Sequence, residues 1–152
     1  GWQRWVRSTT EPLPPDVGVV VAHVDGDTAD VRINGTVERV RFIGIDTPET
    51  HHRDGSPPDC YGPEASARTA ELLPLGIEVR LTGDVVGRDD YGRLLAYVYR
   101  RSDDLSINAT LVAEGFARPL RIAPNETHAN EFAALATAAR DAGAGMWSTC
   151  TA

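Results

Sequence analysis

The stretch Val17-Gly18-Val19-Val20-Val21-Ala22-His23-Val24, Asp25-Gly26-Asp27, Thr28-Ala29-Asp30-Val31-Arg32-Ile33, Asn34-Gly35 decides the fold of this 152-residue chain. A β-branched run, an acidic turn and strict polar and apolar alternation follow one another, the signature of two antiparallel strands joined as a hairpin. Asn34-Gly35 is a second, stronger turn, because both residues tolerate the positive φ angles that tight hairpins need. Val37 to Ile45 then reads as a third strand and completes a meander.

Downstream, a long loop carries Pro48, His51, His52, Pro57 and Pro58 and ends at Tyr61-Gly62-Pro63, where Pro63 suits the first turn of a helix. Ala65, Thr69, Leu72 and Leu73 share one face of that helix. Ile77 to Leu81 and Leu94 to Tyr99 read as two further strands around the turn-rich Arg88-Asp89-Asp90-Tyr91-Gly92. Ile107, Leu111, Val112 and Phe116 mark a second helix, and Phe132, Leu135, Ala136 and Ala139 a third, with Thr127 a candidate cap. Five short strands and three helices would close as a small barrel, since closure removes exposed strand edges. Residues 1 to 16, with Trp2, Trp5, Pro12, Pro14 and Pro15 but no periodic pattern, read as a leader or linker before a single domain over 17 to 150.

With 41% hydrophobic and 24% charged residues the composition is that of a globular chain, which excludes wholesale disorder. No apolar run approaches the roughly 18 to 20 residues of a membrane span. The net charge of −7 excludes diffuse attraction to a polyanion as the main source of affinity, so any phosphate site must be local. Every basic residue is arginine, suited to two-pronged contacts with phosphate or carboxylate. Cys60 and Cys150 lack the spacing of a zinc site. A disulfide between them implies an oxidising compartment; the rival reading is two free thiols in a cytosolic protein.

Three segments could carry chemistry. Asp25-Gly26-Asp27-Thr28 alone is an ordinary turn. Arg41-Phe42-Ile43-Gly44-Ile45-Asp46-Thr47-Pro48-Glu49-Thr50 places an arginine inside an apolar strand, where burial demands an anionic partner, and oxygen donors at the strand's exit. Asp90-Tyr91-Gly92-Arg93 again sets an arginine where a turn enters a strand. Arginines and carboxylates without a histidine or cysteine cluster suit a hard cation such as Ca²⁺ or Mg²⁺ and, with it, phosphoryl chemistry.

These segments, with Tyr61-Gly62-Pro63-Glu64-Ala65-Ser66, Leu95-Ala96-Tyr97, Leu111-Val112, Gly115, Pro124-Asn125, Thr127-His128 and Trp147-Ser148, resemble the staphylococcal-nuclease-like, or thermonuclease, family over about residues 17 to 148. The resemblance implies an α+β, mainly β fold, a five-stranded OB-fold barrel with three α-helices. It implies Ca²⁺-dependent endonucleolytic hydrolysis of DNA and RNA, single strands preferred, leaving 3′-phosphate ends. It further implies that Asp27 and Asp46 bind calcium through carboxylates and Thr47 through its carbonyl, that Arg41 and Arg93 grip the phosphate, and that Glu49 positions or deprotonates the attacking water. Tyr91 would contact the terminal phosphate or sugar. Similar cysteine pairs in some extracellular relatives favour the Cys60 to Cys150 disulfide and a secreted enzyme. A monomer without an obligate protein partner is expected.

Two departures concern substrate grip. Asp90 stands where the family's typical enzyme has a lysine before the tyrosine. Arg118-Pro119-Leu120-Arg121-Ile122-Ala123 stands, one residue shorter, where that enzyme offers tyrosines to a base, leaving Arg121 as a stacking substitute. Cleavage with weaker nucleotide affinity is expected. The alternative is a catalytically inactive OB-fold module that binds nucleic acid or protein; such relatives lose the acidic and arginine positions that this chain keeps. Tyr97 and Tyr99 are expected to pack in the barrel, and His51, His52 and His128 to lie at the surface.

Overall fold

A computed structural model describes residues 13–150. The tryptophans at positions 2 and 5, and most of the expected leader, lie outside the described residues. The expected hairpins form: β1 (Val17–Asp25), β2 (Thr28–Ile33) and β3 (Thr36–Phe42) are successive antiparallel neighbours. Asn34 and Gly35 turn the second hairpin at φ 50 and 79°, the left-handed geometry that their side chains permit.

Beyond Phe42 the expected long strand breaks. Gly44 adopts φ 80°, and Ile45–Asp46 forms a separate short β4 that leaves the barrel. A Cβ on Gly44 would stand 2.8 Å from the Phe132 ring, so both the angle and the space at this corner demand glycine. The helix α1 (Gly62–Leu72) starts with Pro63 in its first turn and buries Ala65, Thr69 and Leu72. β5 (Glu78–Thr82) and β6 (Leu94–Arg100) follow, β6 lying parallel to β3 and antiparallel to β5, and β5 closing on β1. The five strands make a closed mixed barrel in the order β1-β2-β3-β6-β5, an OB-type α+β architecture.

α2 (Ile107–Ala113) is capped by Ser106, whose hydroxyl accepts from the Ala109 amide. A two-residue β7 (Arg118–Pro119) pairs with β4, and α3 (Ala129–Ala142) and α4 (Met146–Thr149) complete the chain. The residue at the cap of α3 is His128 rather than Thr127. Asp84 takes both the amide and the hydroxyl of Thr127, at 3.1 and 3.0 Å, and so withdraws the hydroxyl from capping. Phe42, Ile45, Leu73, Ile107 and Leu111 fill the core between barrel and helices. Buried Asn108 joins the layers: its amide donates to the Ile43 carbonyl at 2.8 Å and its oxygen accepts from the Val98 amide at 2.9 Å. Cys60 and Cys150 form a disulfide, as expected, with 5.9 Å between Cα atoms. Such a bond persists in oxidising surroundings. Among the described residues no helix is long and apolar enough to cross a membrane.

Candidate active site

The site grows from the first turn. Gly26 lets the hairpin press on Thr47, since a Cβ there would lie 2.7 Å from Thr47 Oγ1. Buried Asp27 is thereby brought under the strand exit: its Oδ1 accepts from the Thr28 hydroxyl at 3.0 Å and its Oδ2 from the Thr47 amide at 3.1 Å. Irregular register between Val20 and Ala22 and again between His23 and Asp25 bends β1 toward this corner.

Arg41 is folded across the break between β3 and β4. Its Nη1 donates to the carbonyls of Phe42 at 2.8 Å and Ile45 at 2.9 Å. Its Nη2 lies 3.3 Å from Asp27 Oδ2 and 3.5 Å from Asp46 Oδ1, so one guanidinium bridges both carboxylates expected to bind metal. The sequence expectation of an anionic partner is met from inside the protein.

Glu49 is held by its backbone. Asp59 accepts from the Glu49 amide at 3.0 Å and returns its own amide to the Glu49 carbonyl at 2.9 Å. The start of α1 closes over the same carbonyl, leaving no room for a side chain at position 62. Thr50 and Ser66 share a hydrogen bond of 2.8 Å, and the Ser66 hydroxyl also reaches Asp25 Oδ1 at 3.1 Å. Glu49 is thus ringed by Asp25, Asp27 and Asp46. Desolvation, then the charge of Asp25 and a hydrogen bond to it, then the charges of Asp27 and Asp46, push its carboxyl above the ordinary range. Asp46 is raised as well, first by desolvation and then by Asp27, against the opposing charges of Arg41 and Arg118.

Four carboxylates facing few cations favour an added positive charge. Thr47 Oγ1 is buried without a hydrogen-bond partner, and the donors are all oxygen, which fits a hard divalent cation. Among the described residues no three His, Cys, Asp or Glu side chains already converge on one point. Asp27 and Asp46 would therefore hold such an ion together with backbone and water oxygens.

Arg93 precedes β6. Because β6 runs parallel to β3 with Arg41 opposite Leu95, Arg93 and Arg41 stand on the same face of neighbouring strands. Both line a cleft of about 560 Å³, with Tyr91, Leu120 and Ile122 on its walls. Asp89 accepts from Arg93 Nε at 2.7 Å and from the Arg93 amide at 2.9 Å, while the terminal nitrogens of Arg93 make no hydrogen bond among the described residues. Tyr91 is 84% exposed and its ring lies 5.5 Å from the Arg93 guanidinium carbon. A second hollow of about 220 Å³ is lined by Asp46, Thr47, Glu49, Asp59, Arg118 and the disulfide. The segment from Arg41 to Glu49 thus lies between two hollows.

Arg121, expected to stack, donates to Glu126 at 3.3 Å and Asn130 at 2.7 Å, and it is the aliphatic Leu120 and Ile122 that line the cleft. Tyr97 packs in the core with its hydroxyl on Asp84, and His52 and His128 bind Asp59 and Glu131 at the surface. Asp59 and Arg118 escaped sequence reading; Arg118 reaches Asp46 only through the pairing of β4 with β7.

Residues 39–149 match the family model described as Staphylococcal nuclease homologue. The chain belongs to the staphylococcal nuclease homologue family. It is 42% identical over 130 residues to the SPbeta prophage-derived endonuclease YokF of Bacillus subtilis (strain 168), covering 82% of this chain and 42% of that protein. It is 42% identical to Endonuclease YncB of the same organism over 72% of this chain and 51% of that one. The Thermonuclease of Staphylococcus intermedius is 42% identical over 69% of this chain and 60% of its own length. The chain therefore spans about half the length of these staphylococcal nuclease homologues.

Proposed function

We propose that this chain is a calcium-dependent endonuclease that hydrolyses phosphodiester bonds of DNA and RNA and leaves 3′-phosphate ends. The observation that carries the reading is the meeting of Arg41 with the carboxylates of Asp27 and Asp46 at the edge of a cleft that also receives Arg93. The names borne by the relatives, two endonucleases and a thermonuclease, support the same class.

Asp27, Asp46 and the Thr47 carbonyl would hold Ca²⁺. The ion supplies charge neutralisation for the phosphate and lowers the cost of forming a nucleophile from water. Arg93 presents its free terminal nitrogens to the phosphate, and Arg41, already fixed by two carbonyls, adds a second guanidinium as charge builds on the phosphate oxygens. Glu49, its pKa raised first by desolvation and then by its acidic neighbours, takes the proton of the attacking water. The water oxygen bonds to phosphorus, the bond to the 5′ oxygen breaks, and that oxygen leaves as a hydroxyl after taking a proton from solvent. Tyr91, on the cleft wall, contacts the terminal phosphate or sugar. Leu120 and Ile122 offer an aliphatic surface to a base, which favours unstacked, single-stranded substrate at reduced nucleotide affinity. Arg121 would join them only by exchanging its partners. The disulfide supports secretion, and the chain acts as a monomer without an obligate protein partner.

Digestion of single-stranded DNA with Ca²⁺, with Mg²⁺ and with chelator tests this reading. Cleavage should need the cation, and Arg41→Ala or Glu49→Ala should each lower the rate on the order of 10²-fold or more. Binding without cleavage under every condition would leave a catalytically inactive module instead.

A further inference from the structure

In a chain of net charge −7, most of the described arginines are matched to a carboxylate, as in Arg39 with Asp30, Arg68 with Glu114, Arg88 with Glu38 and Arg100 with Asp103. Arg118 and Arg140 are exceptions. Neither makes an ion pair or a hydrogen bond among the described residues, both are exposed, and both converge on one ring. The guanidinium carbon of Arg118 lies 5.1 Å, and that of Arg140 5.5 Å, from the Trp147 ring centroid. The indole Nε1 itself is buried without a hydrogen-bond partner among the described residues. Both guanidiniums thus gather at one indole, a local concentration of positive charge that favours an anion.

Their place in the fold says which anion. Arg118 pairs in register with Asp46 and lines the hollow that also holds Glu49. The ridge from Arg41 to Glu49 separates this hollow from the cleft of Arg93 and Tyr91. A strand lying in that cleft with its scissile phosphate at the ridge would continue toward Arg118, beside which Trp147 carries Arg140.

We propose that Arg118 and Arg140, held on Trp147, form a phosphate-binding track that grips a single-stranded polynucleotide beyond the scissile bond. The track deepens the nuclease reading and rests on it for the identity of the polyanion. It carries no sequence information, because guanidiniums on a backbone position a strand without reading its bases. It also places the grip missing from the Tyr91 side, where Asp90 stands, on the opposite side of the ridge.

The test is the salt dependence of binding. The full chain carrying Glu49→Gln, so that the probe survives, is titrated with a fluorescein-labelled thymidylate oligonucleotide of about twelve nucleotides, in calcium, across a range of NaCl. Each lost phosphate contact should reduce the slope of log K against log salt by about 0.7. Arg140→Gln and Arg118→Gln should each show that loss, the double variant about twice as much, and Arg140→Lys should restore it. Arg32→Gln removes the same charge from an unpaired arginine on β2, remote from both hollows, and should leave the slope unchanged. An unchanged slope in folded Arg140→Gln, or an equal loss in Arg32→Gln, overturns the track. Cleavage by the chain with Glu49 intact is scored separately. No cleavage with the slope still falling refutes the nuclease reading alone; absence of oligonucleotide binding by every form overturns both.

Discussion

Replacing Gly62 by alanine separates the positioning of Glu49 from the stability of the fold. In an isolated helix the change is favourable by about 1 kcal/mol. Here an ideal Cβ would sink into the Glu49 carbonyl oxygen, 3.0 Å from the carbonyl carbon and 3.4 Å from the Pro48 oxygen. The obstacle is backbone, which cannot rotate aside as a long side chain can. Reaching ordinary van der Waals separation requires the start of α1 and the Glu49 peptide to part by about 1 Å. The two hydrogen bonds between Glu49 and Asp59 oppose that movement. Overpacking of this kind costs about 1–3 kcal/mol, partly offset by helix propensity. A catalytic group displaced by about 1 Å loses on the order of 10²-fold in rate. Gly62→Ala should therefore melt only a few degrees below the parent while kcat on single-stranded DNA falls about a hundredfold with KM little changed. Parental kcat in a folded Gly62→Ala protein would refute the reasoning.

Asn108→Ala should destabilise by about 1–3 kcal/mol for each of the two buried backbone groups it strands, the Ile43 carbonyl and the Val98 amide, read from urea unfolding. Asp84, held below the ordinary carboxylate range chiefly by the Tyr97 hydroxyl, stabilises the folded state above its unfolded pKa of about 3.9 and loses that contribution as pH falls through its lower folded value. The stability gap between the parent and Asp84→Asn should accordingly be full at pH 6 and shrink toward pH 2 in urea titrations. A gap that widens on acidification would contradict this assignment. Reduction of the disulfide, which spans 90 residues, releases up to about 4–5 kcal/mol in the simple polymer model. Melting with and without a dithiol should show a clear drop, and mass spectrometry a gain of two hydrogens on reduction.

Local order was legible in the chain: Asn34-Gly35 could hardly do anything but turn, and the alternation from Thr28 to Ile33 could bury only one face. The sequence also singled out Arg41 as needing an anionic partner, because burial among Phe42, Ile43 and Ile45 demands one. It could not show that this arginine would be satisfied by two carbonyls as well as two acids, since that depends on the strand turning at Gly44, where the packed Phe132 ring leaves no room for a side chain. Asp59 looked like one more loop acid until the fold laid it on Glu49, and Arg118 became a neighbour of Asp46 only when β7 closed on β4. Periodicity and turn chemistry act between residues a few positions apart, so one dimension preserves them. Charge pairing, close backbone approach and shared aromatic faces act through space, and only closure of the barrel and docking of its helices decides which distant residues meet.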